Sequence, residues 1–330
     1  MWNPTIRSLI PGAIFTIGLL VAVSFKFMGQ GGQGLSLVVG IFCLAGFLLP
    51  YVWLATSTLQ ENLTTRLEKY PLAIFAAVAY VGLLYLAYVG AADMGTGFGV
   101  ASLVFYFVVP ACIMYSRPSY QDQPGLCWRD VFVILAVWVP VDLEWVQQAW
   151  PWPGGAGGNI YTIPMAVAWV VVLFVCFKKL TDVGFRFSFN KKDLKVTLGN
   201  YLAFLVFAIP VGIYIEFIAW SGKPVVPVAL LGGFVATFFL VAVPEELLFR
   251  GIMQNLLQRS MKNKHLALMI ASLIFGLAHL NNGPSPDWRY AFLATVAGYF
   301  YGRSYNASKS LLPAVLVHTM VDVLWVHFFR

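Results

Sequence analysis

A chain of 330 residues that is 60% hydrophobic, 11% charged and carries a formal net charge of +7 falls outside the ordinary soluble class, in which about a quarter of residues are charged. The excess of Lys and Arg does not indicate a nucleic-acid partner, because these residues sit in short loops between apolar runs and not on one soluble face. The four cysteines, Cys43, Cys112, Cys127 and Cys176, contain no C-x-x-C pair, and three lie inside apolar runs, so they read as packing residues.

A helix crossing a bilayer takes about 20 apolar residues, since lipid cannot hydrate the backbone. On that length the sequence predicts about eleven spans, at residues 9–25, 35–56, 70–90, 97–115, 130–147, 160–177, 198–219, 227–249, 265–280, 288–303 and 311–328. The expected fold is an all-α, polytopic integral membrane protein, multi-pass in the cell membrane. The first run, Leu9 to Val23, resembles a signal peptide in length, but Ala22-Val23-Ser24 is a poor cleavage site, so it is read as a retained first span. A cytoplasmic N-terminus puts most Lys and Arg inside and leaves only Lys26, Lys223, Arg289 and Arg330 outside.

In that topology Gly29 to Gly34 and Pro151 to Gly158 become external connectors without a phosphate-binding pattern. The polar stretch Lys178 to Asn200 holds six basic residues, and it divides an N-terminal transmembrane region, 1–180, from a C-terminal core, 196–330. Phe185, Phe187, Phe189 and Leu194 among those bases suggest a segment lying on the headgroups.

Ionisable residues inside apolar spans cost roughly 2.5 to 3.5 kcal/mol each on insertion scales, which makes them functional candidates. In the last hundred residues they come at helical spacing. Within Pro244-Glu245-Glu246-Leu247-Leu248-Phe249-Arg250, Glu246 and Arg250 at i, i+4 share a face and can neutralise each other, while Glu245 points about 100° away. Pro244 removes a backbone donor and loosens the turn before Glu245. His279 follows Phe275 late in the next run. Glu245 and His279 each lie 17 residues from Lys262 at the intervening turn, so in a continuous hairpin both reach a depth of roughly 25 Å. In the last span His318 and Asp322 again share a face. His265 and His327 read as interfacial.

Taken in order on three hydrophobic helices, these groups resemble the E-E-x-x-x-R, F-x-x-x-H and H-x-x-x-N/D motifs of the CAAX-protease and bacteriocin-processing (CPBP) family of intramembrane endopeptidases. The resemblance covers roughly residues 196–330. It implies that Glu245 is the general base on a water assisted by His279, that Glu246 and Arg250 support it, and that His318 with residue 322 stabilises the oxyanion. It also implies a peptide or protein substrate, lipid-modified or membrane-anchored, and no cofactor. Asp322 departs from the Asn of the prenyl-protease branch, and an ionised Asp has no donor for an oxyanion. Either it is protonated or it orients His318. The alternative is a metal-dependent protease, since Glu245, His279, His318 and Asp322 are also a plausible ligand set for zinc. A rival from another class is a transporter or immunity-type binding protein, which would use Asp142, Glu144 and Glu216 as well.

Overall fold

The structure is a computed structural model. It describes residues 33–92, 97–116, 125–151, 157–283 and 285–329, with 13, 16–21, 23, 24, 28 and 29. Eight of the 17 residues of the first expected span, and residues 30–32 and 152–156 of the Gly-rich connectors, lie outside the described residues. The chain packs as two compact units, Met1–Gln123 with Cys127–Leu180, and Thr181–Arg330 with Pro124–Leu126.

The first unit contains α1 (Gly34–Trp53), α2 (Ser57–Lys69), α3 (Ile74–Ala92), α4 (Gly97–Tyr115), α5 (Trp128–Asp142) and α6 (Gly157–Val170), the last prolonged as a π-helix over Val171–Phe177. Its centre is an aromatic cluster. Trp150 is fully buried, with the rings of Phe47, Tyr85, Tyr88 and Tyr161 at 5.0 to 5.3 Å. Three of these contacts are edge-to-face and that with Tyr161 is stacked, and both kinds add to the area such rings bury. Lys178, expected in a solvated loop, is buried instead, and its Nζ meets Asp130 Oδ1 at 2.9 Å. Asp130 also accepts from Cys127 N at 2.8 Å, capping α5, so neither charge is buried uncompensated.

The second unit contains α7 (Lys191–Tyr214), α8 (Pro227–Ser260), α9 (Lys264–Ala278), α10 (Trp288–Ser308) and α11 (Leu311–Phe328). α7 starts earlier than expected because Asn190 and Asp193 form a capping box. Asn190 Oδ1 accepts from Lys192 N and Asp193 N at 2.9 and 3.0 Å, and Asp193 Oδ2 accepts from Asn190 N at 3.1 Å. Asn263, Asp287 and Ser310 cap α9, α10 and α11 more simply, each side-chain oxygen accepting from backbone N–H groups of the first turn.

Among the described residues seven helices are long and apolar enough to cross a membrane: α1, α3 with its preceding 3₁₀ turn, α4, α6, α7, α8 and α11. The sequence reading had eleven. α5 and α9 have 15 residues each, and α10, though 21 long, carries Arg289, Asn306 and Arg303.

Contacts fix which helix ends lie together in the second unit. At one end Leu311 N donates to Gly184 O at 3.1 Å, Arg259 Nη2 to Thr181 O at 2.8 Å, and the Tyr305 hydroxyl to Asp182 O. At the other, Ser221 N donates to Phe328 O at 2.9 Å and Arg289 Nη1 to Glu216 O at 3.1 Å. α9 and α10 approach closely at Gly276, where a Cβ would run into Thr295 Oγ1 and the Ala291 carbonyl.

Candidate active site

α8 is a 34-residue helix with two π-helical stretches, Phe238–Ala242 and Leu247–Gln254, on either side of Val243–Glu246. Pro244 cannot donate to the preceding turn, and the widened turns accommodate it. Such wide turns recur at functional sites. Here they bracket the two adjacent carboxylates, which face different neighbours.

Glu246 is fully buried. Its Oε1 accepts from Arg250 Nη1 at 2.9 Å and from His318 Nδ1 at 2.8 Å. Arg250, also buried, donates from Nη2 to Gly298 O at 3.2 Å, and its guanidinium carbon lies 4.1 Å from the Phe275 ring centre and 5.1 Å from that of Tyr301. One turn on, Gln254 Nε2 donates to Gly302 O at 3.2 Å and to Asn306 Oδ1 at 3.1 Å. Arg250 and Gln254 are thus successive rungs onto the carbonyls of two glycines one turn apart on α10. Gln254 and Asn255 follow on the same helix. Both are buried, and Asn255 Nδ2 donates to Thr181 O at 2.9 Å.

Glu245 turns the other way. Its Oε2 is 3.8 Å from His279 Nε2 and 3.9 Å from His318 Nε2, and it is buried without a hydrogen-bond partner among the described residues. His279 is the C-cap of α9. Its Nδ1 lies 2.8 Å from Phe275 O; a carbonyl only accepts, so Nδ1 carries the proton and Nε2 is the nitrogen turned to Glu245. Asp322 Oδ2 sits 3.3 Å from His318 Nε2. All six residues singled out in the sequence therefore come together: Glu245, His279, His318 and Asp322 at the wall of one cavity, Glu246 and Arg250 immediately behind.

That cavity holds about 350 Å³ and is mostly apolar. Three contributors carry no sequence motif. Tyr301 stacks on His318 with centroids 4.7 Å apart and planes 13° from parallel. Tyr290 meets the His279 ring at 5.3 Å, and Asn282 lines the wall. The only hint of Tyr301 in the sequence is its place between Gly298 and Gly302. Asp142, Glu144 and Glu216, the residues a transporter would use, are exposed at or just beyond helix ends.

Comparison with known families adds that residues 227–324 match the model for Rce1-like, type II CAAX prenyl endopeptidases. The match spans 98 of the 330 residues. The matched family is one of intramembrane endopeptidases, and peptidase is the activity that the match supports. The chain matches no curated protein and no solved structure. The Rce1-like segment runs from the start of α8 into α11 and includes all six clustered residues. As for a metal, no group of three or more His, Cys, Asp or Glu among the described residues has the arrangement to hold an ion. In the Rce1-like site both ring nitrogens of His318 already face carboxylates.

Proposed function

We propose that this protein hydrolyses a peptide bond within the membrane, with Glu245 as general base. The observation that carries the reading is the position of Glu245 Oε2, unpartnered and 3.8 to 3.9 Å from two imidazoles at the wall of one cavity. A water there gives one hydrogen to Glu245 Oε2 and one hydrogen bond to His279 Nε2. As Glu245 takes the proton, the oxygen attacks the scissile carbonyl, and the carbonyl carbon becomes tetrahedral. Glu245 then passes the proton to the leaving amine, which breaks the C–N bond and leaves a carboxylic acid and an amine.

Negative charge on the tetrahedral oxygen needs a donor. His318 supplies it from Nε2, whose single hydrogen is shared between Asp322 and the tetrahedral oxygen, while Glu246 anchors Nδ1. A carboxylate at 322 thus serves as an orienting acceptor, a different task from donating to the oxyanion. The apolar lining, including Phe204, Leu205 and Ile209, suits a lipid-modified or membrane-anchored peptide.

The test is cleavage of membrane-anchored and prenylated peptides by the purified full chain in detergent. Glu245→Gln should lower kcat by at least about a thousandfold, since it removes the base, while the protein stays folded by circular dichroism and gel filtration. Retained cleavage in that variant would refute the assignment. Activity should survive a strong chelator; loss reversed by added zinc would select the metal-dependent alternative.

A further inference from the structure

The cavity has a direction within the second unit. From α7 it takes Phe204 to Ile209 and from the following turn Ile218. From α9 it takes Phe275, His279 and then Asn282; from α10, Tyr290 to Tyr301; from α11, His318 to Phe329. Most of these residues lie in the half of their helix nearest the end where Ser221 meets Phe328 and Arg289 meets Glu216, while Tyr301 and His318 lie just past the middle of α10 and α11. The catalytic groups form the deep end, and the exposed Asn282 marks the opposite end.

The charges of the same unit are distributed in the reverse sense. The end with the α8–α9 and α10–α11 turns carries Arg186, Lys191, Lys192, Lys195, Arg259, Lys262, Lys264, Arg303 and Lys309. Among the described residues the cavity end carries Lys223 and Arg289, and Arg289 is clamped by Asp287 at 2.8 Å. Lys and Arg in short loops are retained on the cytoplasmic side, which makes the basic end cytoplasmic.

From these two gradients we infer that the site is entered from the non-cytoplasmic face, and that its substrate is the membrane-proximal segment of an exported or externally exposed peptide. A cytosolic tail would approach from the wrong end. His318 lies nine residues from Lys309, about 13 Å along a helix, which gives the depth of the chemistry and not its entrance. The substrate class rests on the proposed peptidase reading, whereas the side of entry rests only on the cavity and the charges.

The experiment measures accessibility and needs no turnover. The four native cysteines are replaced, Asn282→Cys or Lys262→Cys is introduced into the full chain, and a membrane-impermeant maleimide is added to intact cells of a bacterial host. Asn282→Cys should react at least about tenfold faster in intact cells than Lys262→Cys, which should react only once the membrane is opened. Ser285→Cys, exposed on the same loop as Asn282, gives a second readout should the first variant not accumulate. Labelling at 282 or 285 only in opened cells overturns the inference and leaves the hydrolase reading standing. Loss of the hydrolase reading through an active Glu245→Gln enzyme would leave the labelling pattern untouched.

Discussion

Replacing Arg250 by Met tests whether the buried pair behind the site is a unit. Glu246 and Arg250 meet at 2.9 Å with almost no exposure, and removal of one partner from a buried pair costs about 3–5 kcal/mol because the other charge stays uncompensated. Met keeps most of the volume against Phe275 and Tyr301, so little cavity cost is added. Glu246 would still accept from His318 Nδ1 at 2.8 Å, which points to the lower end, about 3 kcal/mol. Glu246→Gln strands the guanidinium instead, with the Gly298 carbonyl and two rings as remaining partners, and should cost about the same. Once one charge is gone the other is the burden, so the double variant should cost no more than either single, a coupling of about 3 kcal/mol. The assay is reversible denaturant unfolding of the full chain in detergent, where each single change should lower the folding equilibrium constant by about a hundredfold. Costs that simply add in the double variant would refute the description of these side chains as one compensated unit.

Tyr301→Phe should keep the stack on His318 and retain kcat within about threefold, whereas Tyr301→Leu should lower kcat by about a hundredfold with little change in KM, as expected when a catalytic ring drifts by an ångström; steady-state kinetics and a pH profile check this. Asp322→Asn keeps an acceptor for His318 Nε2 and should retain activity within about tenfold, while Asp322→Leu should lose more than about a hundredfold. Gly276→Ala should destabilise the second unit by about 1–3 kcal/mol through overpacking, measured by the same unfolding assay. Thr295→Ala should restore only part of that, because the Ala291 carbonyl remains in the way. Asn190→Ala should cost about 1 kcal/mol by uncapping α7.

Much of the site was legible before the fold was known, because helical periodicity is a one-dimensional rule that survives into three dimensions. The i, i+4 spacing paired Glu246 with Arg250 and His318 with Asp322. Equal distances from Lys262 put Glu245 and His279 at one depth, 3.8 Å apart. What was not legible depends on partners distant in sequence. Nothing local says that Tyr301 lies flat against His318 or that Gln254 reaches the Gly302 carbonyl. α2 falls between the expected spans 35–56 and 70–90 because it lacks an apolar run, and only Leu67 of its 13 residues is buried. The early start of α7 was present in Asn190 and Asp193, but the basic residues around them drew attention to the headgroups instead.

The wide turns of α8 give this helix slack that an ordinary transmembrane segment lacks. A π-helical stretch accommodates an inserted residue relative to regular α geometry, so the segment Leu247–Gln254 can shed one amino acid by tightening, without driving every later side chain onto a new face. Lineages carrying this helix could thus tolerate single-residue deletions just beyond the two carboxylates, at a depth where a deletion would elsewhere rotate half a helix by about 100°.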